Sequence, residues 1–204
     1  MCGSEGMLGI ITEINMKVVP LPPKIAGCIA AFDDLEKAGQ CVANIIAKPL
    51  IPSQLEIMSE PCIKAVNKAA KMSLPEVAGI LLIEIDGHTE AIKKEAEKVA
   101  DICLKLGADV SMAKDEQARN RLWESRRKVS PALYLISPKK MSEDIVVPRQ
   151  RIPQMLASLQ RLSEEAKIPV VSFGHAGDGN IHVNLMVDRT NDEEYKKAET
   201  LVRK

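Results

Sequence analysis

Two of the three histidines in the chain, His175 and His182, stand seven residues apart on either side of a glycine-rich connection. Neutral imidazoles that meet at close range can bind a divalent metal such as zinc, manganese or iron. The glycines beside them would let a ligand approach the backbone closely. Asp178, within the connection, is interpreted as a turn-shaping residue, since Asp-Gly-Asn is good turn chemistry. The spacing matches no standard zinc signature. An alternative therefore stays open, in which the two histidines are surface residues beside a turn.

Two strands would have to position these histidines. Apolar, largely β-branched runs at residues 168–173 and 181–187 flank the connection, and such a pair of runs predicts a β-hairpin. Strict alternation in the second run predicts that His182, Asn184 and Met186 share one face, while the apolar residues Ile181, Val183, Leu185 and Val187 share the other. A hairpin folds the chain back on itself, so His175 and His182 are predicted to meet across its open end.

Strand-like and helix-like segments alternate along the rest of the chain. The near-continuous apolar run at residues 79–85 predicts a central strand. Charged, periodic segments at 89–106 and 152–166 predict helices. The repeated βαββαβ character predicts an α+β fold of ferredoxin-like units, with an antiparallel sheet and helices on one face.

Composition limits the classes of partner. Lys and Arg together number 28, as do Asp and Glu, so there is no charge excess of the kind that binds nucleic acid or an anionic membrane. The longest apolar stretch is too short to span a bilayer. Five scattered cysteines predict buried, reduced thiols and not a disulfide framework. These features predict a cytoplasmic protein, with peripheral association with a membrane as an alternative.

Two motifs resemble one family of enzymes. The string HAGDGNIHVN at residues 175–184 resembles the C-terminal substrate domain of FAD-linked 2-hydroxyacid dehydrogenases, which include glycolate oxidase, D-lactate dehydrogenase and D-2-hydroxyglutarate dehydrogenase. The string GSEGMLGIIT at residues 3–12 resembles the end of that family's FAD-binding domain, with Met7 in place of the usual threonine. The resemblance implies that residues 1–23 are a remnant of the FAD-binding domain, and that residues 24–204 are the substrate and metal domain, incomplete at its C-terminus.

The resemblance also implies roles for individual residues. His175 and His182 would bind the metal. Arg126, in a W-x-x-R pattern, would clamp the substrate carboxylate, with Lys140 and Asn184 as further substrate contacts. The flavin contacts would be Gly3, Ser4, Glu5, Gly6, Gly9 and Ile10. From the residues alone, a solvated helix face for Arg126 and a surface loop for Lys140 stay open.

The function implied by the resemblance is oxidation of a 2-hydroxy acid, such as glycolate or D-lactate, to the 2-keto acid by FAD, with an iron–sulfur electron-transfer subunit as a partner. No catalytic base is assigned. The chain alone is expected to be inactive and not to retain FAD. Two alternatives are a flavin-independent metal site, including a hydrolytic one, and a ferredoxin-like binding or interaction module without chemistry.

Overall fold

The computed structural model describes residues 1–188 and 190–203. The strands in them are β1 Lys24–Phe32, β2 Gln54–Ser59, β3 Gly79–Gly87, β4 Asp109–Met112, β5 Lys139–Val146, β6 Val170–His175 and β7 Asn180–Val187. The α-helices are α1 Leu35–Ile46, α2 Glu60–Ala70, α3 Thr89–Lys105, α4 Glu116–Arg127, α5 Val129–Ala132, α6 Ile152–Ala166 and α7 Asp192–Val202. Residues 1–23 contain neither helix nor strand, and their large apolar side chains are exposed. None of the helices in the described residues has the length and apolar character needed to cross a membrane.

The strands form one seven-stranded sheet in the order β4-β1-β3-β2-β6-β7-β5, and every pair of neighbours is antiparallel. In the first half, α1 connects β1 to β2 and α3 connects β3 to β4. This is a βαββαβ unit with α2 inserted between its two middle strands. The predicted α+β fold with an antiparallel sheet and ferredoxin-like character is therefore confirmed.

Helices cover both faces of this sheet, whereas the sequence predicted helices on one face. Alternate residues of β1 enter two apolar clusters: Ala30 joins the cluster under α1, α3, α6 and α7, and Ile29 joins the cluster under α2 and α5. The central strand β3 explains the difference, because it is buried residue after residue from Gly79 to Ile85. A strand that is buried on both faces needs a cover on both sides.

On the face covered by α2 and α5, the apolar cover ends partway along the strands. Met58 of β2 and Leu82 of β3 belong to the cluster there. Two residues further along the same face, β2 carries Glu56 and β3 carries Glu84, both buried. Side chains two apart on a strand share a face, so this half of the sheet exchanges apolar packing for ionic contacts.

Candidate functional site

The glycine-rich connection forms the predicted hairpin. In the antiparallel register of β6 and β7, Phe173 lies opposite His182 and His175 lies opposite Asn180. The two imidazole rings lie on the same face with their centroids 5.3 Å apart and their planes at 79°. The Oδ1 atom of Asp178 accepts a hydrogen bond from the amide of Asn180 at 3.0 Å. The predicted meeting of the two histidines and the turn-shaping role of Asp178 are thus confirmed.

Two glycines make this hairpin possible. A Cβ on Gly174 would lie 2.5 Å from the carbonyl oxygen of Asn180 and 2.8 Å from the Cα of Ile181. A Cβ on Gly179 would lie 2.2 Å from the carbonyl oxygen of Val147, and Gly179 has a φ of +86°. In both cases the obstacle is backbone, which cannot move aside as a flexible side chain can. Gly174 therefore permits the close approach of β7 that brings the two rings together.

Each histidine is held through Nδ1 by a carboxylate from the neighbouring strand. Glu56 Oε1 lies 2.5 Å from Nδ1 of His175, and Asp144 Oδ1 lies 2.5 Å from Nδ1 of His182. Both pairs are direct cross-strand neighbours in the sheet register. An Nδ1–H donated to a carboxylate leaves Nε2 with its lone pair, which is the usual arrangement for a histidine that binds a metal.

Two buried glutamates organise the centre of the site, and neither was predicted from the sequence. Glu56 and Glu84 are 7% and 5% exposed. Glu84 accepts hydrogen bonds from the indole of Trp123 and from Gln54 Nε2 at 3.0 Å, and it lies 3.2 Å from Nε of Arg119. Such partners compensate the cost of burying a carboxylate. The overlooked signal was an acidic residue with an apolar neighbour on each side in a strand, Leu55 and Ile57 around Glu56 and Ile83 and Ile85 around Glu84.

Arg126 lies at the same centre. Its Nε donates to Glu56 Oε2 at 2.6 Å, and the guanidinium carbon lies 4.7 Å from the centroid of the Phe173 ring. The solvated-surface alternative is therefore wrong for Arg126. Arg119, Trp123 and Arg126 follow the spacing of one helix face, and together they fasten the polar helix α4 to the two buried glutamates.

Lys140 also faces this site. The strand β5 begins at Lys139, so the surface-loop alternative is wrong. The Nζ atom of Lys140 donates to Ser130 Oγ at 2.8 Å and lies 5.7 Å from the ring centroid of Tyr134. Burial lowers the pKa of Lys140 below its ordinary value, because desolvation disfavours the charged ammonium.

Asn184 is buried on the same face as His182. Its Oδ1 accepts a hydrogen bond from Ser142 Oγ at 2.8 Å, which fixes the orientation of the amide. The Nδ2 atom is buried and makes no hydrogen bond to any residue that the structure describes. A buried donor without a partner is costly, so a ligand oxygen would find a ready partner there.

One pocket of about 730 Å³ brings the substrate and metal predictions together. The predicted residues that line it are Arg126, Lys140, His175, His182 and Asn184. Its volume suits a small ligand. Within residues 1–188 and 190–203, no group of three or more His, Cys, Asp or Glu side chains is placed to hold a metal. The pocket therefore offers two imidazoles as candidate metal ligands.

The predicted flavin contacts do not lie in this pocket. Gly3, Ser4, Glu5, Gly6, Gly9 and Ile10 belong to the N-terminal segment without regular structure, and of these six only Ser4 is half-buried. A Cβ added to Gly3 or Gly6 would meet no atom within 4 Å. Exposed in this way, these residues do not by themselves provide the enclosing contacts that FAD needs.

The sequence of the chain matches one protein family and several known proteins. The family described as FAD linked oxidases, C-terminal domain, matches residues 21–204. The chain is 40% identical to the glycolate oxidase subunit GlcD of Escherichia coli (strain K12) over 98% of its own length and 40% of that protein. It is 32% identical to a D-lactate dehydrogenase of Anaerostipes hadrus over 97% of its own length and 43% of that protein. The chain thus spans less than half the length of these relatives.

Solved structures share the fold at low sequence identity. Substrate-bound p-cresol methylhydroxylase superposes with a TM-score of 0.67 at 18% identity, over 89% of this chain and 42% of that chain. Alkyldihydroxyacetonephosphate synthase superposes with a TM-score of 0.63 at 17% identity, over 97% of this chain and 44% of that chain. At such identities the likeness concerns the fold alone.

Proposed function

Since this chain belongs to the FAD linked oxidases and forms their C-terminal domain, we propose that its pocket binds a 2-hydroxy acid beside a divalent metal. Glycolate and D-lactate are the acids in the names of its relatives. In the whole enzyme the bound acid would be oxidised to the 2-keto acid. The observation that supports this most is the convergence in one pocket of two carboxylate-held imidazoles, a guanidinium, an ammonium and an amide nitrogen without a hydrogen-bond partner among the described residues.

The cations would bind the carboxylate of the acid. The bond between Arg126 and Glu56 uses Nε, so that carboxylate does not engage the terminal guanidinium nitrogens. Two parallel N–H donors match the two oxygens of a carboxylate. Lys140 adds a second positive charge to the pocket lining, and its hydrogen-bond partner Ser130 is neutral.

The metal would be held by Nε2 of His175 and of His182, whose Nδ1 atoms are already engaged. A zinc, manganese or iron ion there would act as a Lewis acid toward the 2-hydroxyl group. Asn184 would donate its free Nδ2–H to a ligand oxygen, since Ser142 already engages the amide oxygen. No residue of the pocket is assigned as the base.

Two further proposals concern the division of the chain into domains and a partner protein. We assign residues 1–23 to the FAD-binding part and residues 24–204 to the substrate and metal domain, because the first strand begins at Lys24. The relatives named as a glycolate oxidase subunit support a second protein as partner, for which iron–sulfur electron transfer is our hypothesis. Because residues 3–10 are exposed apart from the half-buried Ser4, the chain by itself is expected to be inactive and to show no flavin absorbance after purification.

Ligand binding to the 204-residue chain tests the proposal. Trp123 is the single tryptophan of the sequence and lines the pocket, so its fluorescence reports on occupancy. With zinc present, glycolate and D-lactate should bind, whereas acetate and propanoate, which lack the 2-hydroxyl, should bind at least about tenfold more weakly, a loss of about 1.4 kcal/mol. Equal binding of all four acids would contradict the proposal. A chain that bound neither zinc nor any acid would favour the interaction-module alternative.

A further inference from the structure

The carboxylate of Glu56 contacts both the candidate metal ligand His175 and the candidate substrate-binding residue Arg126. Its Oε1 lies 2.5 Å from Nδ1 of His175, and its Oε2 accepts from Nε of Arg126 at 2.6 Å. Glu56 sits in the centre of the sheet, where β2 pairs with β3 on one side and with β6 on the other. Both oxygens of one buried side chain are therefore committed, one to each partner.

The contact with His175 decides which ring nitrogen faces the pocket. A carboxylate accepts and does not donate, so the proton of a neutral His175 stays on Nδ1. The Nε2 atom then carries the lone pair that a metal needs. Outer carboxylate partners of metal-binding histidines typically change metal affinity by about 10–100-fold when they are removed.

The contact with Arg126 restrains the guanidinium. Nε is held by Glu56, and the guanidinium carbon lies 4.7 Å from the centroid of the Phe173 ring. A planar group held at one edge and packed against a ring has little freedom to rotate. The terminal nitrogens are thus directed to one place before a ligand arrives, which lowers the entropic cost of binding.

We propose that Glu56 is a positioning residue that aligns the metal-binding His175 and the carboxylate-binding Arg126 with a single side chain. The proposal rests on the function proposed above for the pocket. It implies that metal binding and acid binding depend on the same carboxylate, so a change at Glu56 weakens both. The equivalent carboxylate on the other histidine, Asp144, contacts His182 and, in the described residues, makes no hydrogen bond or ion pair with Arg126, so on this proposal it supports metal binding alone.

Glu84 provides a matched control. It is as buried as Glu56, 5% against 7% exposed, and it lies on the same face of the adjacent strand. It also binds helix α4, through Trp123 and Arg119. Among the described residues, the hydrogen bonds and ion pairs of Glu84 reach neither the pocket histidines nor Arg126. If replacing any buried carboxylate weakened zinc and glycolate binding, Glu84→Gln would therefore lose as much affinity as Glu56→Gln.

Calorimetric titration of the 204-residue chain with zinc, and then with glycolate at saturating zinc, tests the proposal in three variants. Glu56→Gln should weaken zinc binding by about 10–100-fold and should also weaken glycolate binding. Asp144→Asn should weaken zinc binding alone. Glu84→Gln alters a side chain that also lines the pocket but contacts neither His175 nor Arg126, so it should lower both affinities by less than Glu56→Gln does. Unchanged zinc and glycolate affinities in Glu56→Gln, or the same losses in Glu84→Gln, would overturn the positioning role.

Nitrogen-15 NMR of the histidines separates this proposal from the function on which it rests. In the unaltered protein His175 should show the Nδ1–H tautomer, and in Glu56→Gln this preference should decrease while Glu84→Gln retains it. An Nε2–H tautomer in the unaltered protein would overturn the proposal without any variant, and so without concern for folding. If zinc and glycolate failed to bind but the tautomer followed Glu56, the proposed function would be wrong and the positioning of His175 would stand.

Discussion

The rings of His175 and His182 meet edge to face with their centroids 5.3 Å apart, and each ring is anchored by a carboxylate from the adjacent strand. The anchoring contacts use the same ring nitrogen, Nδ1, in both residues. In both residues Nε2 takes no part in the anchoring contact, which is the arrangement that the proposed metal site requires.

Replacement of either pocket histidine should abolish tight metal binding. His175→Ala and His182→Ala each remove one of two imidazole ligands, so we expect at least about a 100-fold loss of zinc affinity by calorimetry. His88→Ala is the matched control, because His88 lies at the start of α3 and does not line the pocket. Similar zinc affinity in all three variants would show that the metal binds elsewhere.

Replacement of Arg126 should lower both stability and acid binding. Arg126→Met leaves Glu56 buried with His175 as its remaining partner, and breaking such a buried pair typically costs on the order of 3 kcal/mol. Urea unfolding measures this loss. Arg121→Met, at an exposed position of the same helix, should change the free energy of unfolding by less than about 0.5 kcal/mol. Equal unfolding free energies for the two variants would refute a stabilising role for the buried ion pair between Arg126 and Glu56.

Acid binding should weaken at high pH because of Lys140. Its ammonium binds an anion only when protonated, so its contribution is complete below its pKa and is lost as the pH rises through that pKa. Burial lowers the pKa below the ordinary 10.5, and the loss should therefore begin at a lower pH than for an exposed lysine. Lys140→Arg, whose guanidinium stays protonated, should retain glycolate affinity at high pH. A wild-type profile identical to that of Lys140→Arg would contradict this role.

Thiol labelling should distinguish one cysteine from four. Cys2 is exposed, whereas Cys28, Cys41, Cys62 and Cys103 are buried, so the prediction of buried reduced thiols is confirmed for four and wrong for Cys2. Burial raises the pKa of Cys28 and of Cys62 to about 12, which leaves little reactive thiolate near neutral pH. Iodoacetamide should therefore modify Cys2 in the native protein, and all five thiols in urea. If mass spectrometry showed rapid labelling of more than one thiol in the native protein, the burial of the four cysteines would be contradicted.

The hairpin could be predicted from local sequence alone. The turn residues around Asp178, the glycines and the alternation from Ile181 to Val187 all act within about twenty residues, and each has a direct consequence for strand geometry. The family resemblance added Arg126, Lys140 and Asn184, and the structure brings all three into the pocket with the histidines.

The missed residues depend on strand order, which local sequence does not reveal. Glu56 is 119 residues from His175 and 70 from Arg126 in the chain, and they meet only because β2 lies between β3 and β6. The position of Lys140 within β5 was left open for a related reason. In the described sheet this edge strand pairs with β7 alone and is mostly exposed, so its sequence lacks the apolar alternation of a buried strand.

The most direct test of the account is an anomalous difference map at the zinc edge, from crystals of this chain soaked with zinc chloride and glycolate. We expect one peak about 2.0–2.1 Å from Nε2 of both His175 and His182, with the glycolate carboxylate at Arg126. His175→Ala crystals treated in the same way should lose the peak. An empty map between the two rings, or zinc bound only at residues outside the pocket, would contradict the assignment of a metal and acid site to this domain.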